Sequence, residues 1–219
     1  MPSRRSLVSR ASRAVLVLTC VCPTLGLTAC SVSEPDADRV IGLPFWVSDE
    51  FTPSGYMGDG SQTGSITLHV DDESCHPRAP GAGGSCFRFD YHAPVNGSVG
   101  WGGVYFQAPP NNWGNLPGKR IAPGAKQLRL KAAGVTGGEL ATFRIGGLSG
   151  TDASGAAYPN ADSFQAEQSY PLTTDLAEYT VSLPAGLSYD RVLGGFAWTL
   201  LAPADHGPIG IYLDEMRWE

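Results

Sequence analysis

Phe87-Arg88-Phe89-Asp90-Tyr91 places three aromatic rings and two charges in strict alternation. Only an extended chain, whose side chains leave alternately to either side, puts all three rings on one face. The same period of two recurs in Gln127-Leu128-Arg129-Leu130-Lys131 and in Glu178-Tyr179-Thr180-Val181-Ser182-Leu183. Phe45–Phe51, Ser65–Val70, Val104–Gln107, Leu140–Ile145, Phe196–Leu200 and Ile209–Leu213 bring the set to about nine short strands. Beyond Cys30 no stretch keeps a helical period over three turns, and Gly and Pro interrupt the chain throughout. Many short strands without helices predict an all-β fold, a sandwich or jelly roll, in one domain without internal repeats.

The last strand breaks the alternation. In Ile211-Tyr212-Leu213-Asp214-Glu215-Met216-Arg217-Trp218, Ile211 and Leu213 share one phase while Met216 and Trp218 share the other. Either a β-bulge at Asp214-Glu215 slips the register so that all four face the core, or Met216 and Trp218 pack on the opposite face.

At the other end, Arg4, Arg5, Arg10 and Arg13 precede or open an apolar run from Ala14 to Leu27, closed by Leu27-Thr28-Ala29-Cys30. A run of about 14 residues is too short for a bilayer, which takes about 20, and the pattern is that of an export signal. The tetrad resembles the lipobox of bacterial lipoproteins. That resemblance implies a diacylglycerol on the Cys30 sulfur and cleavage just before it. Residues 1–29 would then be a signal peptide, 30–44 the lipidated cysteine with a flexible tether, and 45–219 the domain. The polar, acidic stretch Ser31–Arg39 suits a tether. Ser31 is not the aspartate that often retains lipoproteins at the inner membrane, so the resemblance places the chain in the bacterial cell envelope, at an outer membrane where one exists. Ser3-Arg4-Arg5-Ser6-Leu7-Val8 also resembles a twin-arginine signal, with Leu7 where a larger aromatic is common; that route and the general secretory one stay open.

Four of the 15 basic residues and none of the 21 acidic ones lie before Cys30, so the remainder has a formal charge of −10 against −6 for the whole chain. Nucleic acid and anionic membrane surfaces reward clustered Lys and Arg, and both are excluded as partners of the domain. Cys20 and Cys22 fall within the signal, leaving Cys75 and Cys86. In an exported chain these two pair most simply as a disulfide, closing the Gly- and Pro-containing loop from His76 to Ser85 between two strands. The competing reading is a metal site of Cys75, His76 and Cys86.

The domain opens with Phe45-Trp46-Val47-Ser48-Asp49-Glu50-Phe51 and closes with Ile211 to Trp218 as written above. Together these resemble the ends of calcium-stabilised jelly-roll carbohydrate-binding modules of galactose-binding-like fold. Such modules begin with an acidic-aromatic strand and end on one carrying an acidic pair. The resemblance runs from Phe45 to Glu219 and implies adjacent chain ends joined by a structural calcium. Asp214 would be the ligand from the last strand and Asp49 or Glu50 that from the first. Because calcium takes about six to eight oxygens, Asp59 and Asp71 are further candidates. Here Asp49 and Glu50 precede Phe51, whereas in the usual first strand the acid follows the aromatic.

The best ligand-site stretch is Gly100 to Gly114, which holds Trp101, Tyr105, Gln107, Asn111, Asn112 and Trp113. Sugars present flat C–H faces, which aromatic rings cover, flanked by hydroxyls, which amides both donate to and accept from. With Val104 and Phe106 pointing to the core, Tyr105 and Gln107 share the other face, with Asn111, Asn112 and Trp113 on the loop beyond. Tyr158–Phe164 has similar but sparser chemistry. The expected function is non-catalytic polysaccharide binding by a membrane-anchored lipoprotein. Two other classes are open: a surface scaffold or adhesion lipoprotein with an envelope protein partner, and a jelly-roll glycoside hydrolase or polysaccharide lyase. For the last, Asp71-Asp72-Glu73 reads as a solvated strand end, and His69, His92 and His206 have no clear companions.

Overall fold

Phe87, Phe89 and Tyr91 are buried, and Arg88 and Asp90 between them point to the other side, as alternation requires. The computed structural model describes residues 38–219; the signal, Cys30 and most of the tether lie outside the described residues. Along the chain run β1 (Val40–Ile41), β2 (Phe45–Trp46), a helical turn α1 (Val47–Glu50), β3 (Thr52–Gly58), β4 (Ile66–Val70), β5 (Phe87–Tyr91) and β6 (Trp101–Gln107). There follow β7 (Lys119–Ile121), β8 (Gln127–Gly134), β9 (Leu140–Gly146), β10 (Gln165–Pro171), β11 (Ala177–Ser182), β12 (Arg191–Val192), β13 (Gly194–Leu201) and β14 (Ile209–Trp218).

Two antiparallel sheets face each other. One has the order β4-β5-β14-β8-β11, with β2 added along the end of β14; the other has the order β3-β6-β13-β9-β10. The chain crosses repeatedly between them, which makes the fold a jelly-roll β-sandwich. Between the sheets, Phe89 of β5 meets Trp198 of β13 at 4.9 Å between ring centres, and Phe87 meets Phe106 of β6 edge-on at 5.0 Å. Each such ring removes its whole apolar surface from water, and this burial is the main stabilising term.

The bulge exists. Asp214 pairs with Lys131 and Arg217 with Arg129, so three steps on β14 match two on β8. Glu215 takes the left-handed backbone, φ 46°, and Ile211, Leu213, Met216 and Trp218 are all buried. Trp218 stacks on Phe45 at 5.6 Å, and its Nε1 donates to the Gly195 carbonyl at 2.8 Å.

Three local readings change. Phe45–Phe51 is not one strand: after β2 the chain turns through α1, because Val47 is drawn into the core while Asp49 stays outside. β1 pairs in parallel with β7, so residues assigned to the tether belong to the domain. β3 and β10, edge strands of the second sheet, carry no apolar alternation; β10 reads Gln-Ala-Glu-Gln-Ser-Tyr-Pro and is largely exposed, so period two could not reveal it. Cys75 and Cys86 are joined by a disulfide across the loop between β4 and β5.

Deleting Glu215 removes the extra residue, so β14 should return to plain alternation with Ile211, Leu213, Met216 and Trp218 all still facing the core, and a cooperative urea transition should persist. Glu215→Gly, which keeps the bulge and relieves its backbone, should stay within about 1 kcal/mol of wild type. Cys75→Ser/Cys86→Ser should cost about 2–3 kcal/mol in the same measurement, the loop-closure entropy of so short a segment.

Candidate functional site

The two sheets turn very different surfaces outward. On the β3-β6-β13 side, Tyr105 and Gln107 leave β6 opposite Val104 and Phe106, as alternation requires, but they do not reach solvent. Tyr105 is 3% exposed, Gln107 0% and Asn112 2%. Leu148 and Trp113, from the loops after β9 and β6, pack onto Tyr105 with Leu193, Ala197 and Met57; the Trp113 ring meets Tyr105 edge-on at 6.3 Å. Burial raises the Tyr105 hydroxyl above its ordinary pKa. Gln107 accepts from the Ser54 hydroxyl at 2.9 Å and donates to the Asn112 carbonyl at 3.1 Å. The Asn112 side chain donates to the Leu116 carbonyl and accepts from the Gly114 and Leu116 amides, closing its own loop. These three side chains hold the loop in place and are covered by it. Trp101 and Trp113 are half-buried, and Asn111 is exposed.

Asp162 ties the second covering loop down. Its carboxylate accepts from the amides of Leu193 at 2.7 Å, Leu148 at 3.0 Å and Gly194 at 3.2 Å. Burial nevertheless pushes its pKa up to about 6, against the pull of those donors. The folded loop therefore holds this proton more tightly than the unfolded chain does.

The outer face of the β4-β5-β14-β8 sheet is open and built otherwise. Register puts His69, Arg88 and Tyr212 in one row across β4, β5 and β14, with Thr67 and Asp90 in the next. Arg88 donates twice to Asp90 Oδ1, from Nε at 3.0 Å and Nη2 at 2.9 Å, and this bond raises the guanidinium pKa despite partial burial. The Arg88 guanidinium carbon lies 5.4 Å from the centre of the Tyr212 ring, and His76 of the disulfide loop abuts that ring at 4.3 Å. His69 touches Asp72 through Nδ1 at 3.2 Å and Asp90 through Nε2 at 3.5 Å. Bonds from the Ser74 hydroxyl and amide lower the Asp72 pKa.

Further along the face Lys131 pairs with Glu215 at 2.6 Å, and Arg217 with Glu219, also at 2.6 Å. Arg217 also lies over the Trp46 ring at 5.3 Å. Three shallow depressions of about 390, 510 and 440 Å³ border this face, near Arg88 and Asp90, near His76 and Arg78, and near Gln127 and Arg217. Sequence reading missed this surface because its members lie on four strands. The available signal was the polar half of each alternation, Arg88 with Asp90 and Tyr212 with Arg217.

The expected calcium ligands do not converge. Glu50 is bound by Arg39, at 2.7 Å and 2.5 Å to its two oxygens; Asp214 is bound by Arg78; Asp49 is exposed. Asp59 is buried and accepts from Tyr91, Ser98 and the Val99 amide, and Asp71 accepts from the Cys86 amide. Among the described residues no three Asp, Glu, His or Cys side chains could together hold a metal ion. The donor set does not fit calcium.

No protein-family model matches the chain, and no curated protein does. Solved structures similar to it include a family 30 carbohydrate-binding module, with 14% identity over 80% of this chain and 87% of that one and a TM-score of 0.45. A family 29 carbohydrate-binding module matches at 12% identity, 80% and 91% coverage and TM-score 0.36. The family 11 module of a cellulosomal cellulase of Clostridium thermocellum matches at 11% identity, 76% and 94% coverage and TM-score 0.36.

With a folded pKa above the unfolded one, Asp162 contributes most to stability below about pH 4, and its contribution falls as the pH rises to about 6. The lowered carboxyls of Asp59, Asp72 and Asp152 act below that window, and that of Glu219 reaches only its lower edge. In urea melts, wild type should therefore lose more stability between pH 4 and pH 6.5 than Asp162→Asn; equal losses would show that burial does not govern this group.

Proposed function

We propose that the domain binds polysaccharide without cleaving it, and that the ligand lies along the outer face of the β4-β5-β14-β8 sheet. The observation that carries this reading is the open row of His69, Arg88 and Tyr212, flanked by Asp90 and by depressions on either side. The Tyr212 and His76 rings form a small aromatic ridge for a sugar's C–H face. Arg88 and Asp90 beside it supply donors and acceptors for its hydroxyls. The β14 strand, with its ten residues, runs the length of this face, about 30 Å. A surface of that length suits an extended chain better than a small molecule.

Charge supports a neutral glycan. The bases on this face are matched by acids, Arg88 by Asp90, Lys131 by Glu215, and Arg217 and Arg129 by Glu219, which leaves little surplus positive potential for uronates or sulfates. Nothing in the arrangement favours a phosphate backbone either, in keeping with the acidic chain. The same reading puts the domain at a bacterial cell envelope, held by lipid on Cys30, a residue outside those described. The lipobox resemblance supports that placement, and Cys30→Ala should release the protein from the membrane fraction.

Binding is tested with residues 38–219 on a panel of soluble neutral polysaccharides, by affinity electrophoresis and calorimetry. Tyr212→Ala and Arg88→Ala should each weaken binding about tenfold or more, with no new reducing ends released. If Asn111→Ala and Trp113→Ala abolish binding while Tyr212→Ala does not, the ligand lies on the opposite sheet, at the rim first read from the sequence.

A further inference from the structure

The carboxylate expected to hold calcium already faces a cation that belongs to the chain. Arg78 Nη2 has three oxygens around it: Asp214 Oδ1 at 2.8 Å, the Gly84 carbonyl at 2.8 Å and the Gly83 carbonyl at 2.9 Å. Nε of the same guanidinium donates to Asp214 Oδ2 at 2.9 Å, and Nη1 lies 3.7 Å from Asp71 Oδ1. A nitrogen with two hydrogens cannot make three full hydrogen bonds, so the convergence exceeds what a guanidinium needs. Oxygens gathered around one point, two of them main-chain carbonyls, are the surroundings of a cation.

The geometry points to Arg78 as the resident cation of the Asp214 site, holding the bulged end of β14 to the disulfide loop without divalent metal. Two further features fit. The Asp214 side chain is only 5% exposed, so it needs a fixed positive partner. The Cys75–Cys86 disulfide closes the loop that holds Arg78, Gly83 and Gly84, which keeps the two carbonyls near Asp214. The oxygens lie a few tenths of an ångström outside calcium's usual range of about 2.3–2.6 Å, a gap a flexible glycine pair can close. Removing the guanidinium therefore leaves a hole lined by Asp214, Asp71 and two carbonyls, and that hole takes calcium.

The experiment is thermal melting of the full protein, wild type, Arg78→Ala and Arg78→Ala/Asp214→Asn, each in EDTA, in calcium chloride and in magnesium chloride. The wild-type Tm should be the same in all three. Arg78→Ala should melt roughly 10 °C lower in EDTA. Calcium should recover at least half of that loss and magnesium much less, since magnesium needs a tighter octahedron. The double variant should ignore both ions. Should Arg78→Ala not fold in EDTA, its refolding with and without calcium gives the same reading. A wild-type Tm that falls in EDTA overturns the inference, because a metal then holds the site; so does an Arg78→Ala protein indifferent to calcium.

Discussion

Side chains alternate along a strand, so Ile211 and Leu213 can share one core with Met216 and Trp218 only if a residue drops out of register between them. Glu215 is that residue, in the left-handed backbone that a bulge demands. The consequence reaches well beyond β14. The bulge leaves Asp214 pointing outward, accepting its own neighbour's amide at 2.7 Å and both prongs of the Arg78 fork. Arg78 in turn gathers the Gly83 and Gly84 carbonyls, and Gly83 lies so close to the Trp46 ring that no side chain would fit there. His76 of the same loop abuts Tyr212. One extra residue thus sets the core at the chain's end, the seat of the disulfide loop and the aromatic edge of the open face.

What divides the two outer faces is coverage. The inner strands of both sheets turn apolar side chains to the core, but the loops after β6 and β9 fold back over one sheet and supply Trp113 and Leu148 to a second, smaller apolar cluster. Tyr105, Gln107 and Asn112 then work as fasteners: a buried amide must have its donors and acceptors met, and theirs are met by the loop backbone. On the other face the disulfide loop covers only part of β14, at Tyr212 and Asp214, and leaves His69, Arg88 and Asp90 half-exposed. Bases and acids there are matched in pairs across the strands, which leaves a surface rich in donors and acceptors with little net field.

The fold class was legible because burial on one side of a strand writes itself into every second residue, as in Phe87-Arg88-Phe89-Asp90-Tyr91. Where that rule has no force, the reading fell short. β10 is a largely exposed edge whose inward face offers only Ala166 and Tyr170, too sparse to set a period, and β2 is followed by a helical turn whose single buried residue, Val47, gives no period at all. At the candidate site the gap has another cause. Tyr105 and Gln107 were correctly assigned to the side of β6 away from Val104 and Phe106, yet one strand's alternation says nothing of what a loop forty residues later lays on top. Arg88, Tyr212 and His69 belong together only through the pairing of three strands far apart in the chain.

The sequence by itself therefore determined the β-sandwich class, the inward face of most strands, the acidic character of the domain and the two cysteines left to pair. All of these are local or compositional, and each follows from a single segment or a count. Tertiary structure alone decided whether β14 carries its bulge, which sheet face stays open, and what neutralises Asp214. Those depend on long-range register and on loops crossing over sheets. Sequence can mark Asp214 as a carboxylate in want of a cation, but only the folded chain shows that Arg78, 136 residues away, is the one it has.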